Sequence, residues 1–191
     1  MQQQEEILIE RAKTGDVESF EELIQNHQQR AFNIAYRMLG NLEDANDVTQ
    51  EAFLRVYRSI DKFKGNSSFS TWLYSIVNNA CIDFIRKHKK TKVIYIDDNK
   101  YQEGYQKEIP DRKNVPEDLL EKKEIKERVH DAINQLNYDQ RTIIILRDIQ
   151  GFSYQEIAEI LNISEGTVKS RISRGRNNLK EILHATNKRT S

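Results

Sequence analysis

Residues 153–183 read S-Y-Q-E-I-A-E-I-L-N-I-S-E-G-T-V-K-S-R-I-S-R-G-R-N-N-L-K-E-I-L. Ser153 followed three residues later by Glu156 is the capping-box pattern of a helix start, and Ile157, Ala158 and Leu161 then recur at helical spacing. Small Ala158 leaves room for a second helix to pack closely. Asn162 tolerates the left-handed backbone of a tight turn, Ser164 offers a new N-cap, and Glu165 falls in the first turn that follows. Along this second helix Val168, Ile172, Leu179, Ile182 and Leu183 form one apolar stripe. Lys169, Ser170, Ser173, Arg174 and Asn177 fall on the opposite side. The pattern is a helix-turn-helix, and its outer face suits a DNA major groove: Arg and Lys donate to guanine edges or phosphates, Ser and Asn make short polar contacts.

Working outward, the chain has 191 residues, 37% hydrophobic and 31% charged, with two prolines and seven glycines. That composition suits a helix-rich globular protein with one or two domains. Formal net charge is zero, yet from Ser164 onward seven basic residues face two acidic ones, so the C-terminal end is cationic. A neutral total argues against an autonomous DNA-coating protein and for one held at DNA by something larger. The N-terminal residues lack the pattern of a signal peptide, no stretch reads as a membrane span, and Cys81 is the only cysteine. The expectation is a protein of the reducing cytoplasm with no direct membrane insertion.

Gln2 to Lys13 reads as a short helix closed near Gly15, with Asp16 capping the next. Val17, Phe20, Leu23, Ile24, Ala31, Ile34, Ala35 and Met38 mark one face of a long helix ending near Gly40 and Asn41. His27 shares that face, where a core residue is the expected role. A third helix spans about 42–60, with Ala45, Val48, Ala52, Val56 and Ile60 inward and Asp47, Gln50, Glu51 and Leu54 outward. By spacing alone that outer side is either solvated surface or a docking face. Residues 62–73 then place a polar, glycine-containing loop among aromatic residues: Phe63, Phe69 and Trp72 can wall an unstacked base, or they are plain core. The helix that follows, to about Lys90, has Leu73, Ile76, Val77, Ala80, Phe84 and Ile85 on its apolar side, while Asn78, Asn79, Asp83 and Arg86 are expected more exposed. Its closing basic run, 86–90, is a solvated helix end or a phosphate contact.

Helical periodicity stops between Thr91 and Val115, where Val93 to Ile96 could form a brief extended piece. The segment reads as a flexible linker between two helical domains. Pro116 is placed to open the second domain, and Val129, Ala132, Ile133 and Leu136 give its first helix a buried stripe. Ile143 to Leu146 fits a buried strand by periodicity alone; Asp139 as a cap and the helical surroundings favour a helix. Residues after His184 are expected to fray. The fold class is therefore all-α: two small helical domains, 1–90 and 117–191, joined by a linker at 91–116.

No catalytic constellation emerges. The chain lacks a P-loop, a dinucleotide-binding glycine pattern and H-E-x-x-H, and its four histidines are scattered. No cofactor or metal is expected, and Cys81 reads as a buried small hydrophobe.

Three motifs in order carry a resemblance. D-A-N-D-V-T-Q-E-A-F-L-R-V-Y at 44–57, F-S-T-W-L-Y-S-I-V-N-N at 69–79 and the helix-turn-helix at 153–171 are similar to regions 2.2, 2.3–2.4 and 4.2 of bacterial RNA polymerase sigma factors of the extracytoplasmic-function group. The resemblance covers nearly the whole chain. It implies that Asp47, Gln50, Glu51 and Leu54 dock on core polymerase. It implies further that Phe63, Asn66, Ser67, Ser68, Phe69, Trp72, Asn78 and Asn79 read and open the −10 promoter element. Lys169, Ser170, Ser173 and Arg174 would read the −35 element, with Ser164, Thr167, Arg171 and Arg176 completing the candidate set. Ser173 departs from the aromatic or larger side chain that relatives often carry. The implied protein is a polymerase specificity subunit and not an enzyme, partnered by core polymerase, promoter DNA and a membrane-linked anti-sigma factor. A stand-alone helix-turn-helix regulator would need a dimer element, and no sustained heptads are present.

Overall fold

The computed structural model describes residues 2–95 and 117–189, and it is helical throughout the elements that build the core. Helix α1 runs Gln2–Lys13 and buries Leu8, Ile9 and Ala12. The Asp16 carboxylate then accepts from the amides of Glu18 and Ser19, starting α2, Val17–Leu39. Gly40 ends α2 in the left-handed region at φ 78°, a conformation that favours glycine. Asn41 caps α3, Leu42–Ser59, by accepting from the amide of Asp44, and a single 3₁₀ turn, Ile60–Lys62, leads into the aromatic loop. Helix α4, Phe69–Tyr95, starts where the Ser68 hydroxyl accepts from the Thr71 amide. Leu23, Ile34, Val56, Leu73 and Val77 meet without solvent exposure at the centre of these four helices. Each such side chain contributes about 1.5–3 kcal/mol on burial.

The second unit comprises α5, Glu117–Gln135; α6, Tyr138–Ile144; α7, Tyr154–Leu161; and α8, Glu165–Arg189. Between α6 and α7 the backbone widens into one π-type turn, Ile145–Ile149, closed by the Gln150 amide donating to the Ile145 carbonyl at 2.9 Å. Gly151 at φ 75° then reverses the chain. Ile143, Ile144, Ile145 and Leu146 are all buried here, so the apolar run is helical as expected, although its second half is wider than an α-helix.

Several expectations change. The extended piece is absent at Val93–Tyr95, where α4 simply continues, so the helix crosses the expected boundary at residue 90. The rest of the linker, 96–116, including Pro116, lies outside the described residues. Asn137, not Asp139, caps α6, because its side chain accepts from the Gln140 amide at 3.0 Å. Helix α8 continues past His184 to Arg189, with the Thr186 hydroxyl donating back to the Ile182 carbonyl at 2.9 Å.

The two units touch. Tyr74 of α4 and Phe152, which precedes α7, meet edge to face with ring centroids 5.4 Å apart, and the buried apolar residues of both units form one contiguous cluster.

Candidate nucleic-acid interface

The helix-turn-helix is built by the caps its sequence encodes. The Ser153 amide donates to Glu156 Oε2 at 2.7 Å and the Glu156 amide donates to Ser153 Oγ at 3.2 Å. Asn162 takes φ 51°, ψ 52°, and the Ile163 amide donates to the Ala158 carbonyl at 3.0 Å, closing α7. Ser164 Oγ accepts from the Thr167 amide at 3.2 Å and lies 2.9 Å from Thr167 Oγ1, so both hydroxyls are engaged in starting α8.

Val168 and Ile172 are buried against α7 and α6, which leaves Lys169, Ser170, Ser173, Arg174 and Asn177 exposed on the other side. Arg171 and Arg176 behave differently from their exposed neighbours. Arg171 turns toward α6 and pairs with Asp139 at 3.4 Å, and Arg176 pairs with Asp148 of the π-type turn. Gly175 was missed in the sequence, and it is buried. A Cβ there would stand 3.1 Å from Ile144 Cγ1, so its lack of a side chain lets α8 lie directly on α6.

On α3, Asp47, Gln50, Glu51 and Leu54 share one exposed face, and Leu54 remains 49% exposed. Glu51 accepts from Arg55 at 3.0 Å, and Arg55 also holds Asp83 of α4 at 2.8 Å. A groove of about 460 Å³ runs beside this face between α2 and α3, with Phe32, Phe53 and Gln50 among its walls.

The aromatic loop resolves the open alternative in part. Phe63 and Phe69 are buried, packed edge to face at 5.7 Å, while Trp72 is half-buried 5.1 Å from Phe63. Asn66 is exposed, Ser67 is partly so, and Ser68 is spent as the α4 cap. Asn79 is exposed as expected, but Asn78 is not. It is 2% exposed, because the Tyr138 hydroxyl from the second unit donates to its Oδ1 at 3.3 Å.

Arg30 and Arg141, neither singled out in the sequence, bind across the same junction. Arg30 donates to the Gln150 carbonyl, and its guanidinium lies 4.0 Å from the Phe152 ring centre. Arg141 donates to the Met38 carbonyl at 3.0 Å, and to the carbonyls of Asn134 and Leu136. Their signal was present. Arg30 interrupts the apolar stripe of α2 between His27 and Ile34, and Arg141 stands just before Ile143. His27 donates or accepts at the Tyr74 hydroxyl, 3.1 Å away; burial first, and then the Arg30 charge, hold its imidazole below the ordinary value. Among the described residues no His, Cys, Asp and Glu cluster could hold a metal, and no helix is long and apolar enough to cross a membrane.

A capped helix-turn-helix with a cationic outer face, carried beside a second helical bundle with an exposed, mostly polar face on α3, defines a two-module DNA-binding protein. Residues 14–91 match sigma-70 region 2, and residues 126–179 match sigma-70 region 4. The chain is 41% identical over 179 residues to the ECF RNA polymerase sigma factor SigW of Bacillus subtilis (strain 168), covering 92% of this chain and 94% of that one. It is 36% identical over 177 residues to the ECF RNA polymerase sigma-E factor of Escherichia coli (strain K12), covering 90% of each. Among solved structures, the sigma factor RpoE of Bartonella quintana, in complex with the anti-sigma factor NepR, superposes with a TM-score of 0.68 at 27% identity, over 88% of this chain and 98% of that one. The chain belongs to the extracytoplasmic-function group of RNA polymerase sigma factors. It is therefore a specificity subunit that works with core polymerase on promoter DNA, and the polymerase carries the catalysis.

Proposed function

We propose that the two units divide the promoter between them: residues 117–191 read the −35 element and residues 1–90 dock on core polymerase and open the −10 element. The observation that carries this reading is the exposed face of α8, where Lys169, Ser170, Ser173 and Arg174 stand opposite buried Val168 and Ile172. Arginine and lysine there would pair with guanine edges or phosphates, and the hydroxyls with either. The exposed face of Asp47, Gln50, Glu51 and Leu54 is the polymerase-docking surface in this reading. Exposed Asn66 and Asn79, with half-exposed Ser67, are the polar groups for a flipped −10 base, and Trp72 stands at the edge of the aromatic cluster. Asn78 joins them only when Tyr138 is withdrawn.

The factor would bind core polymerase, seat both units on the promoter, assist strand separation and then leave. A membrane-linked anti-sigma factor would hold it inactive in the cytoplasm until an envelope or extracellular stress arrives; the likeness to a sigma factor solved with an anti-sigma factor supports this regulation. Run-off transcription on genomic fragments with core polymerase, with and without the chain, is the direct test. New start sites that depend on the chain are expected. DNA binding at a palindromic operator without polymerase, and no polymerase-dependent transcript, would reject the proposal.

A further inference from the structure

A groove of about 360 Å³ runs between α3 and α4, on the flank of the face that carries Asp47, Gln50, Glu51 and Leu54. Val48 and Ala80, both buried in the common core, line it, so apolar packing already joins the two helices. Arg55 spans it. Its Nε donates to Glu51 Oε1 at 3.0 Å, one turn back on α3, and its Nη1 donates to Asp83 Oδ2 at 2.8 Å on α4. Its hydrogen bond to Asp83, and next the one to Glu51, raise the guanidinium above its ordinary value.

All three side chains remain open to solvent, and exposed ion pairs add little to stability. The larger consequence is where charge sits. Glu51 and Arg55 stand four residues apart on one helix, a spacing that pairs them with or without α4. With no second acid, the guanidinium would lie along α3 and cancel the Glu51 carboxylate on the exposed face. Asp83 takes Nη1 from across the groove, so the cation is shared between two acids and drawn toward α4. Only Oε1 of Glu51 is engaged by Arg55, which leaves Oε2 to a donor from outside. Around the groove Asp47, Glu51 and Asp83 stand against Arg55 and Lys87, and one negative charge is left over.

We infer that Asp83 is a positioning residue for polymerase docking: from α4 it draws Arg55 off the exposed face of α3 and keeps Glu51 open to a hydrogen-bond donor of core polymerase. The inference rests on the docking assignment of Asp47, Gln50, Glu51 and Leu54 made in the previous section. Asp83 acts through Arg55 and does not itself touch polymerase. The helix that carries Asn79 thus helps to set the charge of the docking surface on its neighbour.

Affinity of the full chain for core polymerase, titrated by fluorescence anisotropy without DNA, reads the effect. Asp83→Asn keeps the shape of the side chain and removes its charge, and should weaken binding about two- to fivefold, the scale of one exposed charge coupling. The loss relative to wild type should shrink as salt is raised. Asp83→Glu should restore most of it. A folding defect behaves differently, because it lowers the active fraction at every salt concentration, so a loss that ignores salt overturns the inference.

A double-mutant cycle separates positioning from contact. In an Arg55→Gln background, where the covering cation is gone, Asp83→Asn should bring no further loss. A further loss of the same size there means that Asp83 meets polymerase directly, and it overturns the positioning role; so does unchanged affinity of Asp83→Asn in the otherwise natural chain. Asp47→Ala and Glu51→Gln are the controls on the docking face. If both bind core as tightly as wild type, the docking assignment falls and the inference falls with it. If both weaken binding while Asp83→Asn does not, the docking assignment stands and the inference alone is overturned.

Discussion

Asp148 holds the guanidinium of Arg176 through two hydrogen bonds, from Nε to Oδ2 at 3.1 Å and from Nη2 to Oδ1 at 2.5 Å, and so ties the π-type turn to α8. With its guanidinium so held, Arg176 is expected to position α8 and not to read bases. An exposed pair of this kind contributes about 0.2–1 kcal/mol to stability. Arg176→Ala should therefore lower −35 binding by a similar factor on every promoter variant, and the exchanged pair Asp148→Arg with Arg176→Asp should restore part of it. A change in base preference for Arg176→Ala, measured across −35 variants, would return this side chain to the readout.

Arg174 is the contrasting case. Its Nε donates to the Ser170 carbonyl at 3.3 Å, no acid holds it among the described residues, and it stands exposed on the outer face. Arg174→Ala should cost about 1–3 kcal/mol and relax preference at one −35 position. Equal losses on all variants in a binding titration would assign it to a phosphate instead.

Gly175 separates packing from helix propensity. Propensity alone makes Gly175→Val a modest gain. Ile144 is 1% exposed and 3.1 Å from where the new Cβ would stand, so this buried side chain must give way, and we expect a loss of about 1–3 kcal/mol in denaturant unfolding. Unchanged stability would mean that α8 shifts off α6 without cost.

His27 gives the pH dependence. Its folded-state value lies below the ordinary 6.5, so the unfolded chain binds the proton more tightly. The stability from the neutral, buried imidazole is complete above about 6.5 and is lost as pH falls from there through the folded value. Wild type should lose more melting temperature between pH about 7.5 and about 5.5 than His27→Gln does. Equal losses would place the acid sensitivity elsewhere.

In the aromatic loop, Asn66 and Ser67 can be tested apart from Ser68, whose hydroxyl caps α4 and whose loss would cost about 0.5–2 kcal/mol by itself. Asn66→Ala with Ser67→Ala should leave core binding and closed-promoter binding intact and reduce open-complex formation in permanganate footprinting. Wild-type opening by this double variant would make the loop a connector.

What the sequence made legible follows from the range of the forces involved. Caps and periodicity act within a few residues, so Asp16, Gly40, Ser153, Glu156 and Asn162 are found where their side chains or backbone freedom predict. The outer faces of α3 and α8 were legible for the same reason. Choosing between Asn137 and Asp139 as the α6 cap failed because both are good capping residues two positions apart, and the Asp139 carboxylate has Arg171 to meet in α8. Asn78 was misplaced because nothing near it in the chain announces that Tyr138, sixty residues on, will cover it. Arg30 and Arg141 carried a readable sign, a cation set into an apolar pattern, but only the fold shows which carbonyls they serve.

The π-type turn at Ile145–Ile149 acts as a phase adjuster between two helical registers. Each residue of a helix turns the chain by about 100°, so the direction in which the chain leaves this stretch toward α7 depends on how many residues the stretch holds, while α8 returns to rest on α6 at Gly175. The course of the chain into the helix-turn-helix is thus set by how many residues precede it as well as by which residues compose it.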